Sequence, residues 1–151
     1  MAHRLAVFLA CVSLVAGALR CASAAPACDE SLWSHVFSPS RLHVLDRCVV
    51  VRGTVVLPMP QLDGDYHILV RLDPSFQKFD PDQSMINVEA MCMIPVVQSG
   101  PAVDACAHWH QNIQIPPPGT HVDVVGAWVD DGEHGWQEIH PVTAMVARAS
   151  A

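Results

Sequence analysis

The chain has 151 residues, of which 15% are charged, and a formal net charge of −7. A nucleic-acid binder draws most of its affinity from a basic patch that neutralises phosphates, and no Lys/Arg cluster stands anywhere in this sequence, so that class is disfavoured. The length suits one compact domain with its own core and is too short for two.

In chain order, His3 and Arg4 precede an apolar run from Leu5 to Leu19, and Ala22-Ser23-Ala24 fits a small-residue cleavage pattern. Residues 1–24 therefore read as a secretory signal cut after Ala24, and Arg20 before Cys21 argues against a lipoprotein. The apolar run is shorter than the roughly 20 residues of a spanning helix, and no later stretch approaches it, so no stable membrane span is expected. The signal carries two arginines and no acidic residue, so its loss shifts the net charge from −7 to −9. An exported monomer, periplasmic or extracellular, is the expectation.

Four cysteines remain beyond the signal: Cys28, Cys48, Cys92 and Cys106. An even count in a small exported chain points to two disulfides, with three possible connectivities. The pairing Cys28–Cys48 and Cys92–Cys106 is favoured because each closes a short local loop. A zinc ribbon or a catalytic thiol is the rival reading, and the lack of any C-x-x-C spacing weighs against it.

Residues 25–47 read as an irregular lead-in packing on the domain, with a helical turn near Leu32–Phe37 and with Trp33 and Phe37 as a lid. The domain itself is placed at 48–147. Its first strand, Cys48–Leu57, is rich in β-branched residues, carries Gly53 where a bulge or bend is expected, and stops at Pro58 and Pro60. The second, Tyr66–Leu72, puts Tyr66, Ile68, Val70 and Leu72 on one face and His67, Leu69 and Arg71 on the other. A long polar link runs from Asp73-Pro74 through Asp80-Pro81-Asp82.

A third strand, Met85–Ile94, alternates Ile86, Val88, Ala90 and Cys92 against Asn87, Glu89, Met91 and Met93. Residues 95–120 are least regular, with a helical turn near Val103–His110 and a stiff Pro116-Pro117-Pro118 connector. The fourth strand is His121–Val129, with Val122, Val124 and Trp128 on one side. Asp130–Gly135 is a turn, and the fifth strand, Trp136–Val146, is kinked near Pro141. The expected fold is all-β: a small five-stranded OB-like Greek-key barrel with a short helical or irregular insertion between strands three and four. A β-sandwich is the alternative.

Arg41-Leu42, Val44-Leu45, Cys48, Val51 and Gly53-Thr54-Val55, with Asp63-Gly64-Asp65-Tyr66-His67, Arg71-Leu72-Asp73 and His134-Gly135-Trp136-Gln137-Glu138-Ile139-His140-Pro141, carry a resemblance. They resemble a family of uncharacterised, often exported OB-like domains bearing DGDYH and HGWxEIHP signatures. The resemblance covers residues 41–146 and implies the fold and the importance of the two signatures, with no activity attached. The segment Cys106–His110 and the triple proline are not features of that family, and the resemblance implies nothing about them.

In the OB strand order, strand three lies between strands two and five, which brings His67 near His140 with Glu89 or Met91 between and Glu138 close by. The expected ligand-binding set on the outer face of those strands is His67, Arg71, Glu89, Trp136, Glu138 and His140. Two imidazoles and a carboxylate from His67, Glu138 and His140 could hold zinc or another divalent metal. The rival is structural: both histidines bonding backbone carbonyls. His134 and His140, about 20 Å apart if extended at about 3.3 Å per residue, should not share an ion.

Asp63, Asp65, Asp131 and Glu133 offer calcium-type oxygens, but neither turn has the EF-hand layout and Asp-Gly pairs suit hairpin turns. His108 and His110 would need a third ligand to hold a metal. No His-Glu-x-x-His, Gly-x-Ser-x-Gly or phosphate loop occurs. A binding module for a polar or small ligand, or for a protein, is therefore favoured over an enzyme. The alternative is a metal-dependent, nuclease-like hydrolase using His67, Glu138 and Arg71.

Overall fold

A computed structural model describes residues 27–80 and 84–149. The signal segment and part of the Asp80–Asp82 link lie outside the described residues. Five strands form one sheet that closes on itself in the order β1-β2-β3-β5-β4: β1 Leu42–Pro60, β2 Tyr66–Leu72, β3 Met85–Ala90, β4 His121–Asp131 and β5 Trp136–Ala147. All pairings are antiparallel except β3 with β5, which run parallel. No helix among the described residues is long and apolar enough to cross a membrane.

β1 is longer than expected at both ends. Its first part, Leu42–Thr54, pairs with β4, and its last part, Gly53–Pro60, pairs with β2. The prolines at 58 and 60 do not end it, because there β1 has a strand on one side only and a missing N–H breaks no second ladder. Where the two pairings overlap, Gly53 stands opposite both Leu72 and Val122. A Cβ at this position would lie 2.2 Å from the Arg71 carbonyl oxygen, so close strand approach rather than a bulge requires the glycine. The register shift expected at Gly53 falls instead between Val55 and Leu57.

The alternation read for β2 holds, with Ile68, Val70 and Leu72 in the core and His67, Leu69 and Arg71 on the other face. Ile86 and Val88 of β3, Val122 and Val124 of β4, and Ile139 of β5 complete a barrel interior in which each is 0% exposed. Burying each such side chain contributes roughly 1.5–3 kcal/mol. The link after β2 is not merely polar: Pro74–Phe79 is a 3-10 helix whose Phe79 enters the core and meets Trp128 edge-on at 5.0 Å.

β3 ends at Ala90, four residues earlier than expected, because Cys92 takes a left-handed φ of 52° and turns the chain away from the sheet. The insertion before β4 holds a short helix, α1, Pro101–Ala105, in place of the turn expected at Val103–His110. Both expected disulfides, Cys28–Cys48 and Cys92–Cys106, are present. The lead-in forms a 3-10 helix, Glu30–His35, and a second at Pro39–Arg41. Leu32 and Val36, rather than Trp33 and Phe37, are the buried residues here, packing on Met91 and Cys92 with Trp33 at the margin.

Candidate functional site

Antiparallel pairing of β2 with β3 sets His67 opposite Glu89, and parallel pairing of β3 with β5 sets Asn87 opposite Glu138. These residues point away from the barrel interior, since each neighbours an inward residue: Ile68, Val88 or Ile139. His140, one position after Ile139, joins them. His67 and His140 then grip the two ends of one carboxylate. His67 Nε2 lies 2.8 Å from Glu89 Oε1, and His140 Nδ1 lies 2.7 Å from Glu89 Oε2. An ionised carboxylate only accepts, so both ring nitrogens donate.

Glu138 is held as fully. His140 Nδ1 also donates to its Oε1 at 3.0 Å, and Trp136 Nε1 donates to its Oε2 at 2.8 Å. Asn87 Nδ2 bridges the pair, at 3.0 Å from Glu89 Oε1 and 3.3 Å from Glu138 Oε2. Arg41 approaches Glu89 at 3.7 Å and forms a 2.6 Å ion pair with Asp131. Asp131 in turn caps the turn before β5, accepting the backbone N–H groups of Glu133 and His134 and the His134 ring at 2.9 Å.

The network is on the outer face, as expected, but it is not open to solvent. Glu89 is 1% exposed, and Glu138 and His140 are 0% exposed. Desolvation alone would lower the His140 pKa, yet the charge of Glu89 and the hydrogen bonds to both glutamates raise it to about 10. Burial would push the Glu89 carboxyl up, but the His140 charge and the hydrogen bonds from His140 and His67 hold it well below the usual range. His67, also disfavoured by burial, is raised above its ordinary value by its bond to Glu89 and by the charges of Glu89, Glu138 and Asp63. A buried salt-bridged unit of imidazolium and carboxylates is the result.

Arg71 does not join this group. It sits four residues along β2 from His67, exposed and opposite Met85. Arg41, from the lead-in, takes the cationic place instead, and nothing in its local sequence signals that. His134 returns to the site, contrary to the separation expected from an extended 134–140 segment. A turn closed by the 2.7 Å bond from Gly135 N–H to the Asp131 carbonyl folds it back. Its ring stacks on Trp136 at 4.6 Å and meets His67 edge-on at 6.1 Å. His134 and His140 thus approach the same two glutamates from different directions.

Three described groups bring possible metal ligands within 4.8 Å of one another: Asp65 with Cys92 and Cys106, Asp65 with Glu89 and His140, and Glu89 with His134 and Glu138. The expected set of His67, Glu138 and His140 is not among them, because His67 is spent on the far oxygen of Glu89. In the first group the two sulfurs are joined to each other. Asp63 and Asp131 accept backbone N–H groups two residues on, which is turn chemistry. His108 and His110 are exposed and belong to none of these groups.

Beside the buried network lies a groove of ≈ 180 Å³, lined by Met59, His67, Leu69, Met85, Asn87, Trp136 and Gln137 together with Asp80. His67, Asn87 and Trp136 belong to both the network and the groove wall. Sequence alternation already placed His67 with Leu69 and Asn87 with Glu89, so part of this wall was readable in advance. Comparison with protein-family models, curated proteins and solved structures finds no match to the chain.

Proposed function

We propose that this is an exported, monomeric, OB-type domain, related to the family its two signatures resemble, that binds a small, partly apolar ligand in the groove over β2, β3 and β5. The observation carrying this reading is that three side chains bonded to the buried network, His67, Asn87 and Trp136, also line the groove. Glu89, Glu138 and His140 hold His67, Asn87 and Trp136 in fixed orientations, and those three face the ligand. Preorganised polar groups set in an apolar wall are the usual make-up of a ligand site. Met59, Leu69 and Met85 supply that wall.

The volume is below the roughly 300–1,000 Å³ of sites for drug-sized molecules, so it suits a ligand of few heavy atoms or one projecting group of a larger partner. The net charge of −7 disfavours nucleic acid. Two disulfides fit an oxidising compartment. A fragment screen followed by NMR tests the reading. Hits should shift the Trp136 indole N–H and the Asn87 side-chain amide, and Leu69→Glu should abolish binding while leaving the fold intact. Hits that map elsewhere, or that survive Leu69→Glu, would overturn it.

One observation favours a second reading, a metal-dependent hydrolase. His140 Nε2 is buried without a hydrogen-bond partner, while Nδ1 is tied to two carboxylates. That is the arrangement that orients a metal-bound imidazole, with Glu89 acting from behind the ring and Asp65, in the same cluster, offering a further oxygen. One zinc per chain by elemental analysis supports this reading. Absence of zinc, with no thermal stabilisation on adding it, retires it.

A further inference from the structure

The segment after β3 holds a second constellation, apart from the groove over β2, β3 and β5. Cys92, just beyond β3, is bonded to Cys106 at the end of α1. Cys92 is 3% exposed, whereas Cys106 is partly exposed. Both line an open groove of ≈ 470 Å³ whose walls include Ile94, Val96, Val103 and Trp109. Trp109 is fixed by stacking on His35 at 3.8 Å. With Cys106 partly exposed and Cys92 buried, a thiol entering this groove meets the disulfide from the Cys106 side.

Behind it stands Asp65, 3% exposed, with a carboxyl oxygen within 4.8 Å of both sulfurs. It is placed there by the Asp63-Gly64-Asp65 turn. Gly64, at a φ of 98°, accepts the N–H groups of both Met93 and Ile94 and so pins the post-β3 segment onto the turn. Asp65 Oδ1 then accepts the Cys92 N–H at 2.6 Å. Desolvation pushes its carboxyl up to about 7, with Asp63 and Glu89 adding to the rise and the Cys92 N–H and His140 opposing it. The bond from the Cys92 N–H holds the shielded cysteine in place behind Cys106.

We propose that Cys92–Cys106 is a thiol–disulfide exchange site acting on cysteine-bearing peptides with apolar flanks, with Cys106 the attacked sulfur and Cys92 the leaving sulfur. A substrate thiolate attacks Cys106 Sγ, the Cys92–Cys106 bond breaks, and a substrate–Cys106 disulfide forms. Cys92 leaves as a thiolate and takes a proton from water. A second substrate thiolate then attacks its own sulfur in the mixed disulfide and releases Cys106 as a thiolate, which takes a proton from water. The substrate loses two electrons and gains a disulfide, and the protein gains the two electrons as two thiols. A small-molecule or protein disulfide restores the site by the reverse exchange.

Cys28–Cys48 provides the internal control. Cys48 is more exposed than Cys106, so accessibility alone would have Cys28–Cys48 reduced first. The proposal requires the opposite. Folded protein is treated with a reduced dithiol peptide carrying apolar flanks, quenched by alkylation and mapped by mass spectrometry. Cys92–Cys106 should open at least about tenfold faster than Cys28–Cys48. Cys92→Ser, whose Cys106 is then a free thiol, should be trapped as a mixed disulfide by the oxidised, disulfide form of the same peptide.

Preferential opening of Cys28–Cys48, or opening of Cys92–Cys106 only after denaturation, overturns the proposal.

Discussion

Nδ1 of His140 lies 2.7 Å from Oε2 of Glu89, with the histidine 0% and the glutamate 1% exposed. Breaking such a pair strands a charge that the fold has removed from water, at a cost of about 3–5 kcal/mol. Glu89→Ala and His140→Ala should each lower stability by that order in urea denaturation. Coupling between them should be large, the double variant losing much less than the sum of the two single losses.

His67 binds the same carboxylate but is 15% exposed, so water can replace the lost bond. His67→Ala should therefore cost about 1–2 kcal/mol, clearly less than His140→Ala. Equal losses would show that the two imidazoles are equivalent supports, and would remove the argument that His67 is the network's outlet to the groove.

The pH dependence follows from three groups. His140, raised from 6.5 to about 10, contributes stability that is complete below its unfolded value and lost as pH rises through about 10. Asp65, raised from 3.8 to about 7, likewise contributes below its unfolded value and loses that contribution as pH climbs through about 7. Glu89, lowered from 4.5, contributes above its unfolded value and loses that part in acid. Stability should therefore peak in mildly acidic solution, and the melting temperature near pH 5.5 should exceed that near pH 8.5. Asp65→Asn should flatten the fall between about pH 4 and 7.

Gly53 faces the Arg71 backbone carbonyl first, with a Val70 methyl close behind, so a rotamer change cannot relieve the clash of an added methyl. Gly53→Ala should destabilise by about 3 kcal/mol or more. The measurement is chemical denaturation. Near-wild-type stability would show that β1 can shift against β2 at its crossing point.

The strands were legible where one face alternates cleanly, as in Tyr66–Leu72, and where β-branched residues run together, as in Val49–Val51. The disulfides followed from loop length, and the meeting of His67 and His140 across Glu89 followed from the strand order. Strand ends were not legible. Pro58 and Pro60 read as stops, because only tertiary pairing reveals that one side of β1 is free there. Phe79 was hidden in a polar stretch, and nothing local marks a single aromatic as a core plug. Arg41 and the return of His134 depend on how two distant loops fold over one sheet face, which periodicity does not encode. The full burial of Glu138 and His140 was missed for the same reason.

β1 divides its length between two neighbours, one a few residues away and one far along the chain. Its pairing with β2 closes through the turn at Asp63–Asp65, while Leu42 must wait for Asp131. Contacts this distant in sequence close late, and folds dominated by them assemble on the millisecond-to-second scale. During that wait the early β1-β2-β3 meander leaves Val49-Val50-Val51 without its partner strand, an open edge prone to pairing with another chain. The segment most exposed to self-association during synthesis is therefore the one that later seals the barrel, and refolding yield should fall with protein concentration.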